Sequence, residues 1–162
     1  MNAGFDIAKK DGFECMFFHD VDLVPENDKN IYECFDYPRH YSGYIDKWNY
    51  TIPFFYIYGG ITAYSVEAFE NINGFRYKKQ VRTLLILFSN EYWGWGGEDD
   101  DMLYRAKVAS GYELVRPPEE FTHYKMIKHD HEKSNAKNPL NRELLKNWAW
   151  HMATDGINVS LR

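Results

Sequence analysis

The chain has 162 residues, 44% of them hydrophobic and 18% aromatic, a composition that excludes disorder and suits one domain with its own core. A formal net charge of −5 without any large Lys/Arg cluster excludes a nucleic-acid partner, and the short acidic runs point to cations instead. There is no signal peptide and no apolar span of 18 residues, so either the protein is cytosolic or its targeting segment lies outside this chain.

Residues 3–11 predict a short amphipathic helix stopped by Gly12. Cys15–Phe18 is an apolar run of strand length ending at His19-Asp20-Val21-Asp22. That is the pattern of a buried parallel strand delivering acids at its C-terminal edge. Pro25 and Asn27-Asp28 mark a loop, Tyr41–Trp48 and Pro53–Tyr58 predict strands, and Gly59-Gly60 break the second. Ser65 reads as the N-cap of a helix with Val66, Phe69 and Ile72 on one face, stopped at Gly74. A helix over 99–110 carries Met102, Ala106 and Ala109 on one face and ends at Gly111. Its first turn holds Asp99, Asp100 and Asp101, where the helix dipole favours negative charge. Strands are expected at Glu113–Arg116 and Thr122–Lys128. A last helix begins at Pro139, faces Leu140, Leu144, Leu145 and Trp148 inward, and ends at Asp155-Gly156. Strands alternating with helices argue an α/β domain. Residues 76–88 (RYKKQVRTLLILF) break the pattern, being basic and then strongly apolar where a loop is expected.

Three constellations carry chemistry. Alternation puts the carboxylates of Asp20 and Asp22 on one side of a strand end, where they could share a hard divalent cation. Such a cation neutralises a diphosphate leaving group. Loop capping is the plainer explanation of an acidic pair. A calcium-binding EF-hand loop counted from Asp20 fails, because Val24 and Pro25 fill its fifth and sixth positions. Asp20-x-Asp22-x-Val24 also resembles the haloacid-dehalogenase type of phosphatase, with Asp20 as nucleophile.

The second constellation is Trp93-Gly94-Trp95-Gly96-Gly97-Glu98-Asp99-Asp100-Asp101. Its glycines permit positive φ, its Trp rings can cover a sugar, and its acids can hold hydroxyls or remove a proton. Helix capping explains one Asp and leaves the two Trp, three Gly and four consecutive acids unexplained. The third is Met126-Ile127-Lys128-His129-Asp130-His131, in which His129 suits a borderline cation. Met is an unusual ligand for Mn²⁺, and a core Met beside a surface His explains the pair equally. Cys15 and Cys34 would stay reduced in the cytosol and could pair in a secretory compartment. The sequons at Asn49-Tyr50-Thr51 and Asn158-Val159-Ser160 permit N-glycosylation there.

Taken together, these blocks resemble the β-1,4-galactosyltransferase family. The matching stretches are Phe18-His19-Asp20-Val21-Asp22-Leu23-Val24-Pro25, Tyr58-Gly59-Gly60, Asn73-Gly74-Phe75, Tyr92–Asp101 and Lys125–His129, with Asp155-Gly156-Ile157-Asn158 near the end. The resemblance runs from about residue 2 to residue 161, apart from 76–88. It implies a Rossmann-like GT-A glycosyltransferase domain, N-terminally truncated in this chain, whose missing first part supplies the first strands and most uracil and ribose contacts. An exposed sheet edge is therefore expected.

By the same resemblance, Asp22, Met126 and His129 would ligate Mn²⁺, and Asp99 would be the general base that deprotonates O4 of a terminal GlcNAc acceptor. Glu98 and Asp100 would hold sugar hydroxyls, Asp20 and Gly60 would contact substrate, and Trp95 would close over donor and acceptor. Residues 127–147 resemble the family's long loop, which orders on metal and donor binding. Cys15 and Cys34 match a family disulfide, which implies a Golgi-lumen setting and a membrane-anchored parent protein. Where vertebrate galactose-transferring members carry Tyr, this chain has Ile57, as the invertebrate N-acetylgalactosaminyltransferases do. That favours UDP-GalNAc over UDP-Gal as donor, at a discrimination worth about 1–3 kcal/mol. The 76–88 insert has no family counterpart and reads as a retained intron or gene-model error. A truncated remnant that binds glycans without turnover is the other outcome the chain allows.

Overall fold

The computed structural model describes residues 1–72, 91–109, 111–130 and 136–151. The 76–88 segment, the Gly74 helix stop, His131, the Asp155-Gly156 end and the second sequon lie outside the described residues. In chain order the elements are α1 (Asn2–Lys10), β1 (Cys15–His19), β2 (Leu23–Pro25), β3 (Arg39–His40), β4 (Tyr44–Ile45), β5 (Ile61–Ser65), α2 (Val66–Asn71), α3 (Glu98–Tyr104), β6 (His123–Met126), α4 (Asn141–Lys146) and α5 (Trp148–His151).

The strands form two three-stranded sheets, ordered β1-β5-β3 and β2-β6-β4. In the first, β5 lies in the middle and pairs antiparallel with both neighbours, Cys15 facing Ser65 and His19 facing Ile61. β1 is the outer strand. In the second, β6 lies in the middle, antiparallel to β2 with Leu23 opposite Met126, and parallel to β4 with Tyr44 opposite His123.

β5 explains much of this arrangement. Its sequence, Ile-Thr-Ala-Tyr-Ser, is buried on both faces, as expected of a central strand. Tyr64 points into a core shared with Phe5 of α1, Phe69 of α2 and Met102 of α3. Ile61 and Ala63 point the other way, into a core with Leu23, Tyr41, Ile45 and Tyr124. The period-2 alternation of a strand thus lets one segment serve two cores. Sequence reasoning named no strand here, although the β-branched and aromatic run between Gly60 and Ser65 is the signal for one. Ser65 does cap α2, its Oγ accepting from the Ala68 N–H at 3.1 Å.

Several expected elements differ. β1 pairs antiparallel where a parallel strand was expected, a register that sets Phe17 opposite Ala63 and Phe18 opposite Thr62, so each bulky ring meets a small side chain. The expected strand at 41–48 shrinks to Tyr44–Ile45, followed by a 3₁₀ turn over Asp46–Trp48. Asn49 and Tyr50 end that turn at positive φ of 51° and 54°. Residues 53–58 form no strand, because the Arg116 guanidinium, and no neighbouring strand, donates to the Phe55 and Ile57 carbonyls at 3.0 and 2.8 Å. Glu113–Arg116 contributes a single parallel bridge, Val115 to Arg39. The 99–110 helix is α-helical to Tyr104 and continues as a π-turn to Ala109. Leu140, expected inward, is 67% exposed, because it caps α4 instead of lying within it.

Two further links stabilise the fold. A disulfide joins Cys15, at the start of β1, to Cys34. On α3, the Asp101 carboxylate accepts from Arg105 Nε at 2.6 Å, with both side chains buried. Among the described residues no helix is long and apolar enough to cross a membrane.

Two predictions follow from these links. Reducing the disulfide, or replacing Cys34 by Ser, frees a loop of sequence separation 19 and should lower stability by about 3 kcal/mol, read from denaturant melts with and without reductant. Asp101→Ala leaves the buried Arg105 cation without its carboxylate and should cost about 3–5 kcal/mol in the same melts.

Candidate active site

Four stretches distant in sequence converge at one end of the β1-β5 pair. β1 delivers Asp20, whose N–H donates to the Gly60 carbonyl at 2.9 Å. Gly60 has φ +97°, and a Cβ there would overlap the Ser42 hydroxyl. The neighbouring Gly59 is pressed against Asp99, and a Cβ there would overlap the Asp99 carboxylate. Only glycine permits either approach.

Asp99 sits in the first turn of α3. A small cavity of about 20 Å³ lies against it, lined by Phe18, Asp20, Tyr58, Gly60, Thr62 and Met102 among others. That is room for about one water molecule, so any sugar must lie at its mouth. Burial pushes the Asp99 carboxyl up to about 7, and the negative charges of Glu98, Asp20 and Asp100 push the same way. Asp20 is raised as well, first by burial and then by Asp22. Asp100 is raised by burial. Glu98 Oε2 is buried and has no hydrogen-bond partner among the described residues. A buried carboxylate oxygen without a donor is costly, and a ligand hydroxyl is the natural donor to complete it.

Asp101, the fourth acid of the run, plays a different part, because its carboxylate is turned into the fold against Arg105. The four acids that looked alike in sequence therefore divide into three at the site and one in the core.

The second group of side chains lies where β2 meets β6. Asp22 Oδ2 stands 3.2 Å from His129 Nε2. Met126 is opposite Leu23, one position beyond Asp22, and the Ile127 N–H donates to the Asp22 carbonyl at 2.7 Å. His129 Nδ1 lies 3.1 Å from the Asp130 carbonyl. The Asp130 carbonyl and the Asp22 carboxylate hold the His129 imidazole above its ordinary value, and a divalent cation would take the place of the proton between Nε2 and the carboxylate. Two adjacent ligands about 2.1 Å from one octahedral cation stand about 3 Å apart, close to the Asp22–His129 separation. The donor chemistry thus fits a divalent metal held by one carboxylate and one imidazole, while the Met126 side chain packs against the core with Leu23. Among the described residues no group of three His, Cys, Asp or Glu gathers as a metal cage.

The Trp-rich loop leads directly into Glu98 and Asp99. Gly94, Gly96 and Gly97 all have positive φ, and Trp95 is 50% exposed. The loop is held to residues 136–141. The Trp95 N–H donates to the Ala136 carbonyl at 3.1 Å, Asn138 Nδ2 to the Trp93 carbonyl at 2.9 Å, and Asn141 Nδ2 to the Gly96 carbonyl at 2.6 Å. Ile57 is 7% exposed and is not among the residues lining the Asp99 cavity. The structure therefore brings together Asp20, Gly60 and Asp99 with Glu98 and Asp100 adjoining, and separately Asp22 and His129, with Met126 next to them in the ladder but packed against the core.

Sequence reasoning missed His40, Ser42 and Arg116. His40 is fully buried, and Nε2 lies 2.9 Å from the Gly59 carbonyl. Ser42 Oγ donates to the same carbonyl at 3.0 Å and accepts from the Ile61 N–H at 2.7 Å. Arg116 Nε donates to His40 Nδ1 at 3.0 Å. No spacing in the sequence links residues 40 and 116.

Comparison with known proteins identifies the family. The family model described as the N-terminal domain of galactosyltransferase matches residues 39–81 and 88–130. The model for the N-terminal region of glycosyl transferase group 7 matches residues 1–35. The chain is 40% identical to mouse β-1,4-galactosyltransferase 2 over 97% of its length, covering 39% of that protein. To human β-1,4-galactosyltransferase 3 it is 39% identical over 98% of its length, covering 37% of it. It thus spans about two fifths of the length of these curated relatives.

Among solved structures, the catalytic domain of Drosophila β-1,4-galactosyltransferase 7 in complex with xylobiose superposes with a TM-score of 0.65 at 31% identity, covering 90% of this chain and 57% of that one. A mutant of the same enzyme in complex with manganese, UDP-Gal and xylobiose superposes at 0.62 and 30% identity, covering 88% and 56%. The phosphatase reading of Asp20 falls away with these matches. The fold is the mixed α/β fold of the galactosyltransferase catalytic domain, and the chain belongs to the β-1,4-galactosyltransferase family.

Proposed function

We propose that the chain carries the acceptor and metal half of an inverting glycosyltransferase, which moves galactose or N-acetylgalactosamine from a UDP-sugar onto O4 of a terminal GlcNAc. The observation that carries this reading is the seat of Asp99, a buried carboxylate with a pKa near neutrality, beside a cavity it shares with Asp20. A base must be ionised to accept a proton and basic enough to take it, so a value near the working pH is favourable.

In this reading Asp99 takes the acceptor hydroxyl proton as that oxygen attacks C1 of the donor sugar, opposite the departing UDP. A single displacement inverts C1. Glu98 and Asp100 accept hydrogen bonds from sugar hydroxyls and so orient the acceptor, and Gly60 allows its backbone to approach the substrate. Trp95, held by residues 136–138, covers the sugars and excludes the water that would hydrolyse the donor. Asp22, Met126 and His129 would hold a divalent cation, Mn²⁺ in this proposal, which when bound supplies charge neutralisation for the diphosphate. The manganese and UDP-Gal in the complex of the Drosophila relative support that assignment.

The disulfide supports passage through an oxidising compartment, in keeping with a Golgi-lumen location and a membrane-anchored parent. The family match breaks at residues 82–87 and covers 76–81 and 88, which supports a foreign insert narrower than the 76–88 segment. The invertebrate N-acetylgalactosaminyltransferase branch rests on Ile57, whose side chain leaves room for a C2 N-acetyl group where Tyr would not.

The decisive experiment measures transfer onto a GlcNAc-terminated acceptor from UDP-Gal and UDP-GalNAc in parallel, with Mn²⁺ and with chelator. Mn²⁺-dependent transfer is expected. Retained acceptor binding with no transfer from either donor would make the chain a glycan-binding remnant.

Asp99→Asn should reduce turnover by about 10²–10⁴-fold while donor binding persists. In the parent chain the rate should fall about tenfold per pH unit below pH 7. The sign for stability is opposite. The unfolded chain loses the Asp99 proton near 3.8 and the folded chain holds it to about 7, so stability declines as pH rises through that window. Asp99→Asn removes this cost and should melt higher than the parent at pH 8, with no such gain at pH 3. Ile57→Tyr should shift donor preference toward UDP-Gal by about 10–100-fold in kcat/KM, and an unchanged ratio would remove Ile57 from donor selection.

A further inference from the structure

The segment 55–59 leaves a turn closed by the Ile57 N–H on the Phe54 carbonyl and has no strand partner, yet the carbonyls of Phe55, Ile57 and Gly59 are all taken. Arg116 binds those of Phe55 and Ile57, and His40 and Ser42 bind that of Gly59. A guanidinium is donor only, so His40 Nδ1, which faces Arg116 Nε at 3.0 Å, must be the acceptor. The ring proton therefore sits on Nε2 and donates to the Gly59 carbonyl. Burial and the adjacent guanidinium hold the His40 imidazole low, at about 3, so this tautomer persists across the working pH range.

The Gly59 carbonyl is thus turned away from the site by two donors, and the opposite face of the same residue carries the Asp99 carboxylate in close contact. Three buried or half-buried polar side chains spent on one backbone segment are more than its hydrogen bonding requires. A neighbouring strand would satisfy the same carbonyls without them.

We infer that His40, oriented by Arg116, is a positioning residue that fixes the Gly59–Gly60 backbone as the floor on which the Asp99 carboxylate is seated and kept from water. The inference rests on the reading of Asp99 as the base, but its structural content stands apart from turnover. If the floor shifts, water reaches the carboxylate. The groups facing Asp99 are then the acids Glu98, Asp20 and Asp100 and the buried hydroxyls of Tyr58 and Tyr64, none of which is His40, Ser42 or Arg116.

The test is a titration of Asp99 by carboxyl ¹³C NMR in the full chain, with Asp99→Asn as the assignment control. Wild type should titrate near 7. His40→Gln, whose amide N–H can replace Nε2–H, should keep that value. His40→Phe, which fills the space without a donor, should drop toward the ordinary carboxylate range while far-UV CD stays native. Arg116→Met provides a second route should His40→Phe fail to fold, and it should move Asp99 the same way. An Asp99 titration unchanged in either folded variant overturns the inference, as does a wild-type value already in the ordinary range. Where transfer is measurable, His40→Phe should lower kcat at least tenfold with donor KM held, and His40→Gln should restore most of it. A wild-type chain that transfers nothing counts against the transferase reading alone, because the titration still decides the role of His40.

Discussion

A carboxylate pressed against a glycine is the contact on which the site depends. Asp99 approaches Gly59 so closely that no side chain fits between them, and this contact strips water from the carboxylate. The neighbouring acids act through the same low-dielectric space, where like charges repel more strongly than in water. The ordering of causes at Asp99, burial first and charge second, says that shape does most of the tuning. The charges of Glu98, Asp20 and Asp100 add to an effect that burial has already produced.

The two halves of the site are built by different sheets. β1 and β5 hold Asp20 and the glycine pair beside Asp99, and β2 and β6 hold Asp22 close to His129. The Asp20–Asp22 stretch is the short bridge between them. In the proposed reading, a base at Asp99 and a cation at Asp22 and His129 would serve opposite ends of one displacement, the incoming oxygen and the departing diphosphate. The Trp-rich loop that leads into Glu98 and Asp99 is tied to residues 136–141 by backbone and amide bonds.

How much of this was legible in the sequence depends on the kind of signal. Acids at a strand end, a glycine-punctuated Trp loop and a Met/His pair are local, and they were readable with their spacings. The α2 cap at Ser65 was readable for the same reason. β5 was passed over because its run is short and lies directly between a glycine break and a helix cap, although it is the strand that both cores share. The parallel direction assigned to β1 was wrong because pairing direction is set by which side chains face each other, and Phe17 over Ala63 is a tertiary fact. The partner of Asp101 was legible in its i,i+4 spacing from Arg105, and only the burial of the pair was hidden. The buried Arg105 separates Asp101 from its three acidic neighbours. His40 and Arg116 left no trace at all, since a buried histidine and a distant arginine meet only once the chain is folded.

The separations along the chain have a kinetic consequence. Asp22 meets His129, and His40 meets Arg116, across 107 and 76 residues. Closing loops of that length costs entropy before any contact rewards it, and topologies rich in such contacts fold slowly. Every element of the site joins at least two remote segments, so no local piece of the chain preforms it. The site therefore forms only where segments remote in sequence have already met.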